Sequence, residues 1–71
     1  MATSHRRIVG QKIFIYRKRA GISQEKLAGK ADLSYKYVGE IERGVVNTSF
    51  DSLARIAKAL KLHVNNLTRD I

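Results

Sequence analysis

The 71-residue chain has no cysteine, no proline and only two histidines. Without thiols, no disulfide and no thiolate metal site supports it. His5 and His63 stand far apart, and with six scattered acids they supply no triad, no metal cage and no phosphate loop. Glu40 and Glu42 come nearest to a carboxylate pair, but two positions apart on a helix they point in different directions. The chain is therefore expected not to be an enzyme and to use no cofactor, metal or small-molecule ligand. No apolar run approaches the ~18 residues of a membrane span. The start, MATSHRR, lacks the apolar segment of a signal peptide. A cytoplasmic protein without a membrane partner is the expectation.

Acids are scarce beside bases. Fourteen Lys and Arg against six Asp and Glu give a net charge of +8 and a pI near 10.3. The first 20 residues hold Arg6, Arg7, Lys12, Arg17, Lys18 and Arg19 and no acid. Such a surface attracts phosphate backbones and releases their counterions. A basic, partly apolar first helix is also compatible with an anionic membrane surface. The chain makes one small domain, which buries only about 60% of its unfolded surface, so every apolar position counts.

Repeats and low-complexity segments are absent too, and the periodicity is helical throughout. Residues 1–7 read as a flexible basic arm, and residues 8–71 as the folded domain. Helix 1 is predicted from about Ile8 to Ala20, with Val9, Ile13, Tyr16 and Ala20 on its inner face. Gly21 stops it. Ser23 caps a second helix that runs to Ala31, and Asp32-Leu33 makes a turn. Ser34 caps a third helix ending at Arg43. Val45–Thr48 is a loop, and Ser49 caps a fourth helix with Asp51 in its first turn, where the helix dipole favours an anion. Leu53, Ile56, Ala57 and Leu60 form its buried stripe. A last short helix spans roughly Val64–Thr68 with Leu67 inward. No segment alternates as a strand does, so the fold class is all-α, a compact bundle of five helices.

The stretch from Gln24 to Arg43, QEKLAGKADLSYKYVGEIER, has the pattern of a helix-turn-helix. Leu27, Ala31, Leu33, Val38 and Ile41 are spaced so that two short helices share one core across a tight turn. Ala28 is small where the second helix passes close, and Gly44 follows as a left-handed stop. A unit of this kind holds its second helix in the major groove of DNA. With GISQEKLAGKADLS, YVGEIERG and SFDSLARIAKALKLHVNNL, the chain resembles the lambda-repressor and Cro-like helix-turn-helix domains, the XRE family. Within it, Asn47-Thr48-Ser49 is similar to the loop of restriction–modification controller proteins. Asp32 in the turn, Lys61 after the fourth helix, Phe14, and Tyr35-Lys36-Tyr37 in place of Arg-Thr-Tyr depart from the usual residues.

This reading nominates Tyr35, Lys36 and Glu40 for base edges, since residues near the start of the recognition helix reach them. Ser34 and Tyr37 are nominated beside them, Tyr37 either touching the backbone or supporting the helix. Gln24, at the start of helix 2, is expected to meet a phosphate with its amide and the nearby N–H groups. Arg43, Asn47 and Thr48 are expected to add phosphate contacts. The resemblance implies an ion pair between Arg17 and Glu42 that holds the recognition helix. It also implies a homodimer on palindromic double-stranded DNA, with a seam at Val64, Leu67 and Ile71. The expected function is transcriptional regulation, as a controller, an antitoxin or a phage repressor. The alternative is a protein-interaction module of the same fold; Gln24, Lys36 and Arg43 together favour DNA.

Overall fold

A computed structural model describes residues 4–69. Among them are five α-helices: α1 (His5–Ala20), α2 (Gln24–Ala31), α3 (Tyr35–Arg43), α4 (Phe50–Ala59) and α5 (Asn65–Thr68). Serine sets the start of the first four. The hydroxyls of Ser4, Ser23, Ser34 and Ser49 accept from the backbone N–H groups of Arg7, Lys26, Tyr37 and Ser52. Each satisfies one of the donors that a helix start leaves unpaired. Three of these caps match the expected starts. Ser4 does not: α1 begins at His5, so the basic arm expected to reach residue 7 is helical from its fifth residue. The remainder of that arm lies outside the described residues. Short α5 has no side-chain cap and begins one residue later than expected; His63 Nδ1 instead accepts from the Asn65 N–H.

Left-handed residues stand at or just past the ends of the first four helices. Gly44 closes α3 at φ 73°, and Asp32 takes the same role after α2 at φ 57°. The Leu33 N–H then reaches back to the Ala28 carbonyl at 2.9 Å, closing the turn before α3. Lys61 adopts φ 60° after α4, with the Leu62 N–H on the Ala57 carbonyl at 2.8 Å. A non-glycine residue in this region costs roughly 1–2 kcal/mol.

The core gathers Val9 and Ile13 of α1, Leu27, Ala28 and Ala31 of α2, Val38 and Ile41 of α3, Leu53, Ile56 and Ala57 of α4, then Leu60 and Leu67. On α1 the inner face differs from the expected one. Ala20 is exposed and Tyr16 only half-buried, while Arg17 is buried with 6% exposure. The buried row is Val9, Gly10, Ile13 and Arg17. α3 rests on α1 and α2, α2 packs on α4, and α5 lies against α1 and α4.

Two features fix α3 against α1. Gly10 lets the helices touch backbone to backbone. A β-carbon there would lie 2.6 Å from the Glu42 carbonyl oxygen and closer still to that of Ile41. Arg17 binds Glu42 through a fork, Nε to Oε2 at 2.6 Å and NH2 to Oε1 at 3.0 Å. Its NH1 donates to the Ile22 carbonyl at 2.9 Å, and Gln24 Nε2 donates to Glu42 Oε1 at 2.9 Å. The two charged side chains are 8% and 4% exposed, so the pair is dry and its hydrogen bonds are the compensation for lost water.

Two outcomes follow. Gly10→Ala forces α1 away from α3 and lowers stability by about 1–3 kcal/mol in a denaturant melt, the usual cost of overpacking. Glu42→Ala leaves Arg17 charged and buried, a loss of roughly 3–5 kcal/mol. In a thermodynamic cycle Arg17→Ala with Glu42→Ala loses much less than the two single losses together; plain additivity would show that the pair is not coupled.

Candidate nucleic-acid interface

The helix-turn-helix is built so that α3 turns one side inward and the other out. With ~3.6 residues per turn, Val38 and Ile41 point to the core, and both are buried to within 1%. Lys36, Glu40 and Arg43 share the opposite side, and Gly39, itself buried, sits at its edge towards Gln24 of α2. Lys36 and Arg43 are exposed and Glu40 is half-buried. Their side chains form no ion pair and no internal hydrogen bond among the described residues, so their polar heads are available to an outside partner. Tyr35, 58% exposed, flanks the row on the side of the α2 start, where it lines a shallow cleft with Lys18, Ser23 and Gln24. Tyr37 is half-buried against the core, on the opposite flank.

Other nominated residues sit differently from the expectation. The amide nitrogen of Gln24 is not turned to solvent; it is committed to Glu42. What the start of α2 offers an anion is the backbone, since the N–H groups of Gln24 and Glu25 precede the first intrahelical bond. Ser34 accepts from the Tyr37 N–H at 3.0 Å and keeps its hydroxyl proton to give outward. Asn47 is exposed and Thr48 half-buried, and the two line a small cleft with His5 and Arg6 of α1. The first turn of α1 therefore stands beside the loop after α3. Sequence reasoning missed this because it read residues 5–7 as an arm; the signal was Ser4, three positions before Arg7.

Arg17 and Glu42 lie behind α3, not on its outer side. Donating to Glu42 raises the guanidinium pKa above the ordinary arginine value, with desolvation opposing and the carboxylate's attraction adding. A raised pKa means that the arginine side of this contribution is complete below the ordinary value and is lost only in strong alkali. Phe14 lies over the same guanidinium, its ring centre 5.4 Å from Cζ, and Lys18 approaches the ring at 5.8 Å. The ring remains 46% exposed.

Of the three seam residues, Leu67 is fully buried in the core and cannot meet a partner; it fills the space that α5 shares with α1 and α4. Val64 is half-buried at the start of α5, and Ile71 lies outside the described residues. Val45 and Phe50, at either end of the loop after α3, are 57% and 68% exposed, and sequence reasoning gave them no role. Among the described residues no group of acids and histidines gathers to hold a metal, and no helix is long and apolar enough to cross a membrane.

Comparison with known proteins places this geometry. Residues 13–67 match the helix-turn-helix family. The chain is 40% identical over 68 residues to control protein C.BamHI of Bacillus amyloliquefaciens, covering 94% of this chain and 84% of that protein. Its fold is similar to the restriction–modification controller C.AhdI of Aeromonas hydrophila, with a TM-score of 0.86 and 35% identity over 87% of this chain and 94% of that one. It is also similar to the biofilm regulator SinR solved in complex with DNA, with a TM-score of 0.80 and 37% identity over 83% of this chain and 95% of that one. Among the other matching curated regulators it spans 40% to 58% of their length. This chain belongs to the helix-turn-helix family.

Proposed function

We propose that the chain is a sequence-specific DNA-binding regulator of transcription, of the controller type, acting in the cytoplasm as a homodimer on a palindromic operator. The observation that carries this reading is the outer side of α3. Among the described residues Lys36, Glu40 and Arg43 stand there without internal partners, on a helix whose other side is anchored by Val38, Ile41 and the Arg17–Glu42 pair. Lys36 suits guanine O6 or N7, and Glu40 suits the amino group of cytosine. Tyr35, at the flank, suits a thymine methyl or a hydrogen bond, with the Ser34 hydroxyl beside it. The N–H groups at the start of α2 suit a phosphate, and Asn47 and Thr48 extend the backbone contacts past the end of α3. Tyr37, packed on the core, serves as support. The likeness to C.BamHI, C.AhdI and SinR supports the same reading.

A single α3 reads only a few base pairs. Two-fold pairing doubles the contacts and places half-sites about one helical turn, ~34 Å, apart. Of the two seam residues that are described, Val64 is the one whose surface is partly open.

Competition binding against single-base variants of a selected duplex tests the reader. Lys36→Ala weakens binding by about 1–3 kcal/mol and relaxes preference at one position per half-site. An equal loss on every duplex would leave Lys36 as a phosphate contact alone. Sedimentation at micromolar protein gives twice the chain mass, and a palindrome is held far more tightly than a lone half-site. A monomer that binds both duplexes equally would end the dimer reading.

A further inference from the structure

The position of Arg43 carries a finer assignment within the proposed DNA-reading face, and rests on that reading. Arg43 is the last residue of α3, where a cation ordinarily serves the carbonyl end of the helix dipole. Its head is not there. Its NH1 lies 3.2 Å from the point where Gly39 would carry a β-carbon, one turn back towards the start of α3. Gln24 Oε1 stands 3.6 Å from the same point. The guanidinium therefore lies back over Gly39, beside the position of Lys36 and on the flank of α3 that faces Gln24. Arg43 is exposed and forms no ion pair or hydrogen bond among the described residues, not even with Glu40 three positions earlier. Helical side chains lean towards the helix start, so an arginine at the end of a helix reaches the middle of its face when nothing blocks the way. Gly39 is what keeps the way open.

We infer that Arg43 is a base-reading residue, which directs its guanidinium fork at the O6 and N7 of a guanine near the centre of each half-site, with Gly39 as the seat that makes this reach possible. The fork fits the two acceptors of guanine in one plane, whereas a phosphate contact would not need the head drawn back over Gly39. Gly39 itself is buried, covered by the heads of Arg43 and Gln24.

The test is selection of bound duplexes from a random pool, followed by affinity measurement on single-base variants. The wild type selects a guanine that Arg43→Ala no longer requires, and discrimination at that pair falls about 5- to 100-fold while other pairs keep their ranking. Arg43→Lys retains the charge and loses the fork, so it keeps the salt dependence of binding and loses the guanine preference. Gly39→Ala meets only the far end of a flexible side chain, so the melt is preserved, and the preference relaxes at the same base pair. An equal loss on all duplexes for Arg43→Ala, with Arg43→Lys restoring it, would overturn the assignment and leave Arg43 on phosphate. A wild type that selects no sequence at all would instead overturn the DNA-reading function itself.

Discussion

The buried fork between Arg17 and Glu42 is the contact on which the presentation of α3 depends. It joins three pieces of chain at one point: α1 through Arg17, the link before α2 through the Ile22 carbonyl, and α3 through Glu42, with Gln24 of α2 as a fourth partner. Among the described residues no buried side-chain nitrogen or oxygen is left unpaired. A buried pair of this kind adds little net stability over an apolar substitute of the same shape. Its effect is selective: any rotation of α3 that carried Glu42 off the fork would leave a dry charge on each side. Hydrophobic packing by Val38 and Ile41 tolerates small rotations; the fork does not.

Local chemistry prepares that contact. Serine caps and left-handed stops set where the first four helices begin and end, so the angle between α2 and α3 follows from Asp32, Leu33 and Ser34. Gly10 and Gly44 then let α3 approach α1 more closely than any β-carbon permits. A β-carbon on Gly44 would lie 2.8 Å from the Arg7 Cα, so the end of α3 is seated on the first turn of α1. That seating explains why His5–Arg7 are helical although Arg6 and Arg7 stand at a helix start, where the macrodipole disfavours cations.

Much of this was legible in the sequence, for identifiable reasons. Ser23, Ser34 and Ser49 stand before periodic apolar runs, so α2, α3 and α4 could be drawn within a residue of their observed bounds. The left-handed turn at Asp32 was readable because aspartate tolerates that conformation. What resisted reading was tertiary. Nothing in the spacing of α1 distinguishes Ala20, which is exposed, from Arg17, which is buried, since hydrophobic periodicity assigns arginine to water. Gly10 looks like a weak point in a helix until the Ile41 and Glu42 carbonyls are placed above it. Gln24 reads as a surface amide until Glu42 arrives beside it. Leu67 and Val64 share one apolar run, and only the packing of α5 separates the core residue from the partly open one. The nominated DNA contacts of α3 were recoverable as a face because that side needs no tertiary partner.

The central claim is that the outer side of α3, held from behind by the fork, is the surface that meets DNA. Backbone and side-chain NMR shifts during titration with a selected duplex test it most directly. The account predicts the largest changes at Gln24, Glu25, Tyr35, Lys36, Gly39, Glu40 and Arg43, with the Arg17 Nε–H signal kept in its hydrogen-bonded position. Changes centred instead on the basic cleft of Lys30, Arg55, Lys58 and Lys61, with α3 unmoved, would contradict it.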